Sequence, residues 1–184
     1  HSAGRKSLWF AFLLVSSYMV VEAVGGVLAN SLALLSDATH MVTDAIALGL
    51  AILAIAFASR PVTARRTYGY YRTEVIAALF NALSLWAVAA WIFTEAYRRF
   101  TAPPDVQGNA MIAIGFVGLV INVITALVLR RSAKESLNIE GAFLHVLGDL
   151  LGSIGVVAAG LLIMLFGWYL ADPIFGVAIG ILVL

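Results

Sequence analysis

The chain has 184 residues, 62% of them hydrophobic and 11% charged, with no cysteine and with 11 Lys and Arg against 10 Asp and Glu. Soluble domains are roughly 45–50% apolar and about 25% charged, so this composition, with a mean hydropathy of +1.02, excludes a soluble enzyme and indicates a membrane protein. The near-zero net charge excludes the basic field that nucleic-acid binding needs, and the lack of cysteine excludes disulfides and thiolate metal sites, so any metal must be held by nitrogen and oxygen.

Five apolar stretches are long enough to cross a hydrocarbon core, which takes about 20 helical residues. The first, residues 8–29, is too long for a signal-peptide core and has no small-residue cleavage pattern behind it, so it reads as a retained span; it carries Glu22. The second, residues 33–58, carries Asp37, His40 and Asp44. A basic joint from Arg60 to Arg72 follows, with Tyr68, Tyr70 and Tyr71, suited to a cytoplasmic face and to anionic headgroups. The third span, residues 75–97, holds Asn81 and ends just before Arg98 and Arg99. Pro103 and Pro104 then force a turn between Thr101 and Gly108. The fourth, residues 110–129, holds Asn122, and the fifth, residues 142–165, carries His145 and Asp149 beside Gly148, Gly152 and Gly155. A sixth begins near Ile174 and reaches Leu184 after 11 residues, too short to span alone. The natural chain is therefore expected to extend past Leu184 and, lacking an initial methionine, before His1, which is set aside as a site residue. The expected fold is all-α: a polytopic bundle of six transmembrane helices.

Lys and Arg concentrate in loops that stay in the cytoplasm. With the N-terminus inside, the inner segments hold Arg5, Lys6, Arg60, Arg65, Arg66, Arg72, Arg130, Arg131 and Lys134, and the outer ones only Arg98 and Arg99. Nine against two sets the N-terminus in the cytoplasm.

The ionisable residues within the spans are the informative ones, since each costs at least about 2.5 kcal/mol at the bilayer centre. His40 and Asp44 on the second span and His145 and Asp149 on the fifth repeat one spacing, i to i+4. Residues four apart share a helical face, so each helix offers one imidazole nitrogen and one carboxylate oxygen to a common point. Either pair alone reads first as a structural hydrogen bond within its helix; the repetition points instead to a four-ligand site. Two imidazoles and two carboxylates suit zinc in a tetrahedron and admit cobalt or cadmium. In antiparallel helices His40 is expected level with Asp149 and Asp44 level with His145. Counting from Arg60 and Lys134 at 1.5 Å per residue leaves an offset of about 8 Å for tilt to absorb. Asp37 shares the stripe of His40 and Asp44, and either lines a vestibule or bonds a neighbouring helix. Glu22, Asn30, Asn81 and Asn122 are expected to act as structural hydrogen-bonding groups between helices, and the glycines of the fifth span as points of close helix approach.

The blocks SLALLSDATHMVTDAIAL, TYGYYRTEVIAALFNAL, LHVLGDLLGS and ADP, at Ala171 to Pro173, taken in this order, resemble the cation diffusion facilitator family. The likeness is to its bacterial zinc, cadmium and cobalt exporter branch, related to the vesicular zinc transporters, and covers nearly the whole chain. It implies a six-helix homodimer that exchanges cytoplasmic zinc for protons, with His40, Asp44, His145 and Asp149 as the transport-site ligands. It also implies that residues 1–184 are one transmembrane transport domain, without the C-terminal cytoplasmic metal-binding domain of the family. Zinc is then cargo, and no organic cofactor is expected. Unlike many relatives, the segment from Arg130 to Glu140 has no histidine, so no accessory zinc site is expected there.

The mechanism implied is competition: a ligand must be deprotonated to coordinate, and histidine titrates near physiological pH, so acid outside favours metal release. The alternatives from other classes are a haem-binding membrane redox subunit using His40 and His145 as axial ligands, and a non-transporting metal sensor or channel.

Overall fold

The computed structural model describes residues 2–43, 71–132 and 137–183, all of it helix and short connection. Six helical segments are present among the described residues: α1 Ser2–Leu28, α2 at residues 32–43, α3 Tyr71–Thr101, α4 Gly108–Ser132, α5 Leu137–Phe166 and α6 Ala171–Val183. Two stretches are long and apolar enough by themselves to cross a membrane, Gly108–Arg130 and Phe143–Phe166, with hydropathies of 2.6 and 2.2. Leu13–Leu28 and Ala171–Leu182 are shorter apolar helices. The polar joint from Arg60 to Tyr70, Asp44 and Lys134 lie outside the described residues.

Helix α4 packs against α5 and α1, α5 also against α6, and α3 against α6. The core between them is small and tightly spaced: Ala29, Ala33, Leu34, Met111, Val156, Ala159 and Ile179 are buried. Large apolar side chains point outward instead, among them Val24, Leu28, Trp86, Phe116, Leu151 and Leu165. In water such a surface would aggregate; facing lipid tails it has no solvent to avoid, and helix association rests on close packing and buried polar contacts.

The ends of α1, α3 and α5 meet the starts of α2, α4 and α6 at one end of the bundle. Helix α1 stops because Asn30 takes a left-handed conformation, φ 53°. The amides of Asn30 and Ser31 then close back on the carbonyls of Val27 and Gly26, the Schellman pattern of a helix C-terminus. Ser31 begins α2 by accepting the amide of Leu34 at 3.2 Å. Asp172, on the first turn of α6, supplies the rest of that cap: its carboxylate accepts the amides of Leu32 at 2.7 Å and Ala33 at 3.1 Å and the Ser31 hydroxyl at 2.7 Å. An anion at a helix N-terminus is favourable because the free amides point at it. Arg99, from the last turn of α3, completes the clamp by donating to Asp172 Oδ2 at 3.1 Å and to the Asn30 carbonyl at 2.7 Å.

Several helices start before the apolar stretches expected from sequence, α1 at Ser2, α3 at Tyr71 and α5 at Leu137, and two further boundaries have a local cause. Helix α6 starts at Ala171 rather than near Ile174, because Pro173 falls in the first helical turn, where a missing N–H costs nothing. Helix α3 runs a turn further than the apolar stretch, to Thr101. Its last turn is polar, and Arg98 and Arg99 are held by Glu95 at 3.4 and 3.1 Å, before the prolines end it.

Candidate metal site

His40 leaves α2 toward α5, where His145 and Asp149 sit one turn apart on the facing side. The Nε2 of His40 lies 3.7 Å from Asp149 Oδ1, and the Nε2 of His145 lies 3.7 Å from Asp149 Oδ2. The two imidazole rings are 5.5 Å apart between centroids and tilted by 57°. One ligand atom from each of the three residues can be chosen so that all lie within 4.8 Å of one another. A tetrahedral ion at 2.0–2.2 Å from its ligands keeps them about 3.3–3.6 Å apart, so side-chain adjustments of an ångström or less would close this cluster around a metal.

The cluster has a wet side and a dry side. Asp149 is 2% exposed, His40 15% and His145 44%, so the carboxylate lies at the back and the second imidazole at the mouth. A cavity of about 240 Å³ opens over the three, lined as well by Asp37, Leu144, Gly148 and Gly152. A dication entering it exchanges water for two nitrogens and a carboxylate whose negative charge offsets the loss of hydration.

Of the four residues that the repeated spacing singled out, three therefore come together, with His40 beside Asp149 as antiparallel helices require. The fourth, Asp44, lies outside the described residues, as do the two landmarks used to count the offset between the helices. Asp37 lines the cavity, one of the two roles open to it, and its carboxyl packs against Gly152 of α5. Gly152 makes room for it, since a Cβ on that residue would stand 2.7 Å from Asp37 Oδ1. Of the other glycines, Gly155 abuts Phe175 of α6, whereas Gly148 has open space above it and borders the cavity.

Glu22 is fully buried, with Oε1 3.1 Å from the Tyr18 hydroxyl. Asn122 donates to Ser153 of α5 at 3.1 Å, and Asn30 accepts from Arg99, so both bridge helices as expected. The side chain of Asn81 lies outside the described residues. The sequence reading missed Arg99 and Asp172 as a buried pair; the signal available was an aspartate at the start of an apolar helix and an arginine at the end of another, on the same side of the bundle.

Comparison with known proteins agrees with this architecture. The model of the cation efflux transmembrane domain matches residues 8–184. The chain is 46% identical to the metal cation efflux system protein CzcD of Cupriavidus metallidurans, over all of this chain and 58% of that protein. It is 43% identical to a cadmium, cobalt and zinc/H(+)-K(+) antiporter of Bacillus subtilis, over 99% of this chain and 59% of that protein. It is 45% identical to the zinc transporter ZitB of Escherichia coli, over 97% of this chain and 58% of that protein. The chain thus spans somewhat under three fifths of the length of these relatives. An all-helical, multi-pass membrane protein on these grounds, the chain belongs to the cation efflux family, the cation diffusion facilitators, and carries that family's transmembrane domain.

Proposed function

We propose that this chain is the transmembrane transport domain of a divalent-metal exporter that exchanges cytoplasmic zinc for protons, with cobalt and cadmium as further cargoes. The observation that carries the reading is the meeting of His40, His145 and Asp149, from two different helices, at one cavity of an apolar bundle. Asp44, one turn beyond His40, is the fourth ligand by spacing. Relatives named for metal-cation efflux, zinc transport and antiport with H(+) favour metal over haem at this site.

The chain's own groups suggest the cycle. In the cytoplasm-facing state, deprotonated imidazoles and carboxylates take the dication from water. When the bundle rocks to face outward, protons compete for the same lone pairs and displace the metal, and the charge they bring keeps the emptied carboxylates from standing unpaired. Six spans with a cytoplasmic N-terminus are supported by the nine inner against two outer Lys and Arg. A bacterial plasma membrane is in keeping with the bacterial relatives, and a homodimer is what the family resemblance implies. No chemical step is catalysed; the protein is a carrier, not an enzyme.

The experiment is zinc uptake into proteoliposomes with an internal pH reporter. Uptake coupled to proton exit, abolished in Asp149→Ala and Asp44→Ala at matched insertion, is expected. Zinc binding without flux would assign a sensor, and neither binding nor flux would overturn the site.

A further inference from the structure

Glu22 stands apart from the metal cluster, at membrane depth on α1, and its surroundings are short of one hydrogen. Its Oε1 lies 3.1 Å from the Tyr18 hydroxyl, and that hydroxyl is also 3.1 Å from the Ile114 carbonyl of α4. A phenol has a single hydrogen to donate, so it serves one of these acceptors well. The other Glu22 oxygen, Oε2, is buried with no donor. The side chain that faces it from α2 is a second carboxyl, Asp37, which is 2% exposed.

Among the described residues, the titratable groups facing Glu22 are all acidic: Tyr18 on its own helix, Asp37 on α2 and Asp149 on α5; α4 has no ionisable residue between Gly108 and Leu129. Two buried carboxylates side by side repel each other and are poorly hydrated. A proton on the pair removes one charge and supplies the missing hydrogen. The added hydrogen lies between Glu22 and Asp37, and the Tyr18 hydroxyl keeps its donation to Glu22 Oε1. A metal ion is a poor occupant, because potassium or sodium needs several oxygens around a gap, whereas here hydroxyl, carboxyl and carbonyl are already at hydrogen-bond distance.

We propose that Glu22, paired with Asp37 and bonded to Tyr18, is a proton-binding site separate from the metal ligands, and that its proton is released when metal binds and regained when metal leaves. The exit is short, because Asp37 also lines the cavity that holds His40, His145 and Asp149. Breaking the Glu22 O–H bond passes a proton across the pair to cavity water and leaves two carboxylates, whose charge the arriving dication offsets. The proton site rests on the burial and contacts of Glu22; its exchange with metal rests on the transport reading above.

Infrared spectroscopy of the lipid-reconstituted protein at neutral pH tests the site, because the carbonyl stretch of a protonated carboxyl is separate from those of carboxylates and amides. The wild type is expected to show this band, Glu22→Gln to lose it, and Tyr18→Phe to shift it. The phenylalanine variant keeps the test alive if the glutamine variant fails to insert. A wild-type spectrum without the band, or one unchanged in Glu22→Gln, overturns the site, and a band that appears only when potassium is withdrawn overturns it in favour of a metal cation. Protons released per zinc bound then test the exchange: Glu22→Gln is expected to release one fewer, with zinc affinity within about threefold of wild type. Equal release overturns the exchange. A wild type that has the band but moves no zinc against protons overturns the transport reading and the exchange together, and leaves the proton site standing.

Discussion

Asp149 is the residue on which the metal site turns, because among the described residues it stands 3.7 Å from both imidazoles. Replacing it with alanine is expected to weaken zinc binding by more than the roughly 10- to 100-fold that follows loss of a group merely supporting a ligand, as read by calorimetric titration. Gly152 is the second sensitive position. A methyl there meets the Asp37 carboxyl at 2.7 Å, so Gly152→Ala is expected to cost about 1–3 kcal/mol of overpacking, seen as a lower melting temperature in detergent, while Gly148→Ala, with open space around it, leaves melting unchanged. The contrast between the two was not visible in the sequence, where both glycines look like members of one small-residue stripe. The His and Asp spacing was visible, because a period of about four on two apolar helices leaves little doubt about which side chains share a face. What spacing cannot convey is which helix a polar residue meets, and so Glu22 read as a structural group and Asp37 stayed open between lining a vestibule and bonding a helix, with nothing to join the two.

At the scale of the element, the start of α2 depends on its partners more than on itself. Breaking a buried ion pair by removing one member costs about 3–5 kcal/mol, because the other charge is left alone. Arg99→Ala is therefore expected to lower the melting temperature strongly. Asp172→Asn should be less tolerable still, since the carboxylate also holds the amides of Leu32 and Ala33. A double variant, Arg99→Met with Asp172→Leu, removes the unpaired charge but not the loss of the cap, so it is expected to recover only part of the stability; full recovery would show that the capping bonds contribute nothing. This clamp joins residues up to 141 apart in the chain, which is why the sequence disclosed the individual residues, in an ADP block and an arginine pair, but not their meeting.

For the whole molecule, the fold class was legible from composition, since length and hydropathy limit an apolar chain of this kind to helices that satisfy their own backbone. The helix ends were less legible, because polar turns continue helices past the lipid-soluble stretch. The proposed exchange makes zinc affinity a property of the whole proton balance: it should fall as pH falls, by about tenfold per pH unit for each ligand that must give up a proton, in titrations at matched ionic strength. A flat profile would contradict exchange at these histidines.

The carboxylate of Asp172 fixes one end of α2, so that any tilt of the helix pivots there. His40 lies eight residues beyond Leu32, about 12 Å along the axis at 1.5 Å per residue. The clamp is thus a fulcrum and α2 a lever: a tilt of about 10° about its pinned start displaces the His40 imidazole by about 2 Å. That travel is comparable to a whole metal–ligand bond, so a rotation too small to disturb the packing at the clamped end is enough to assemble the site or take it apart.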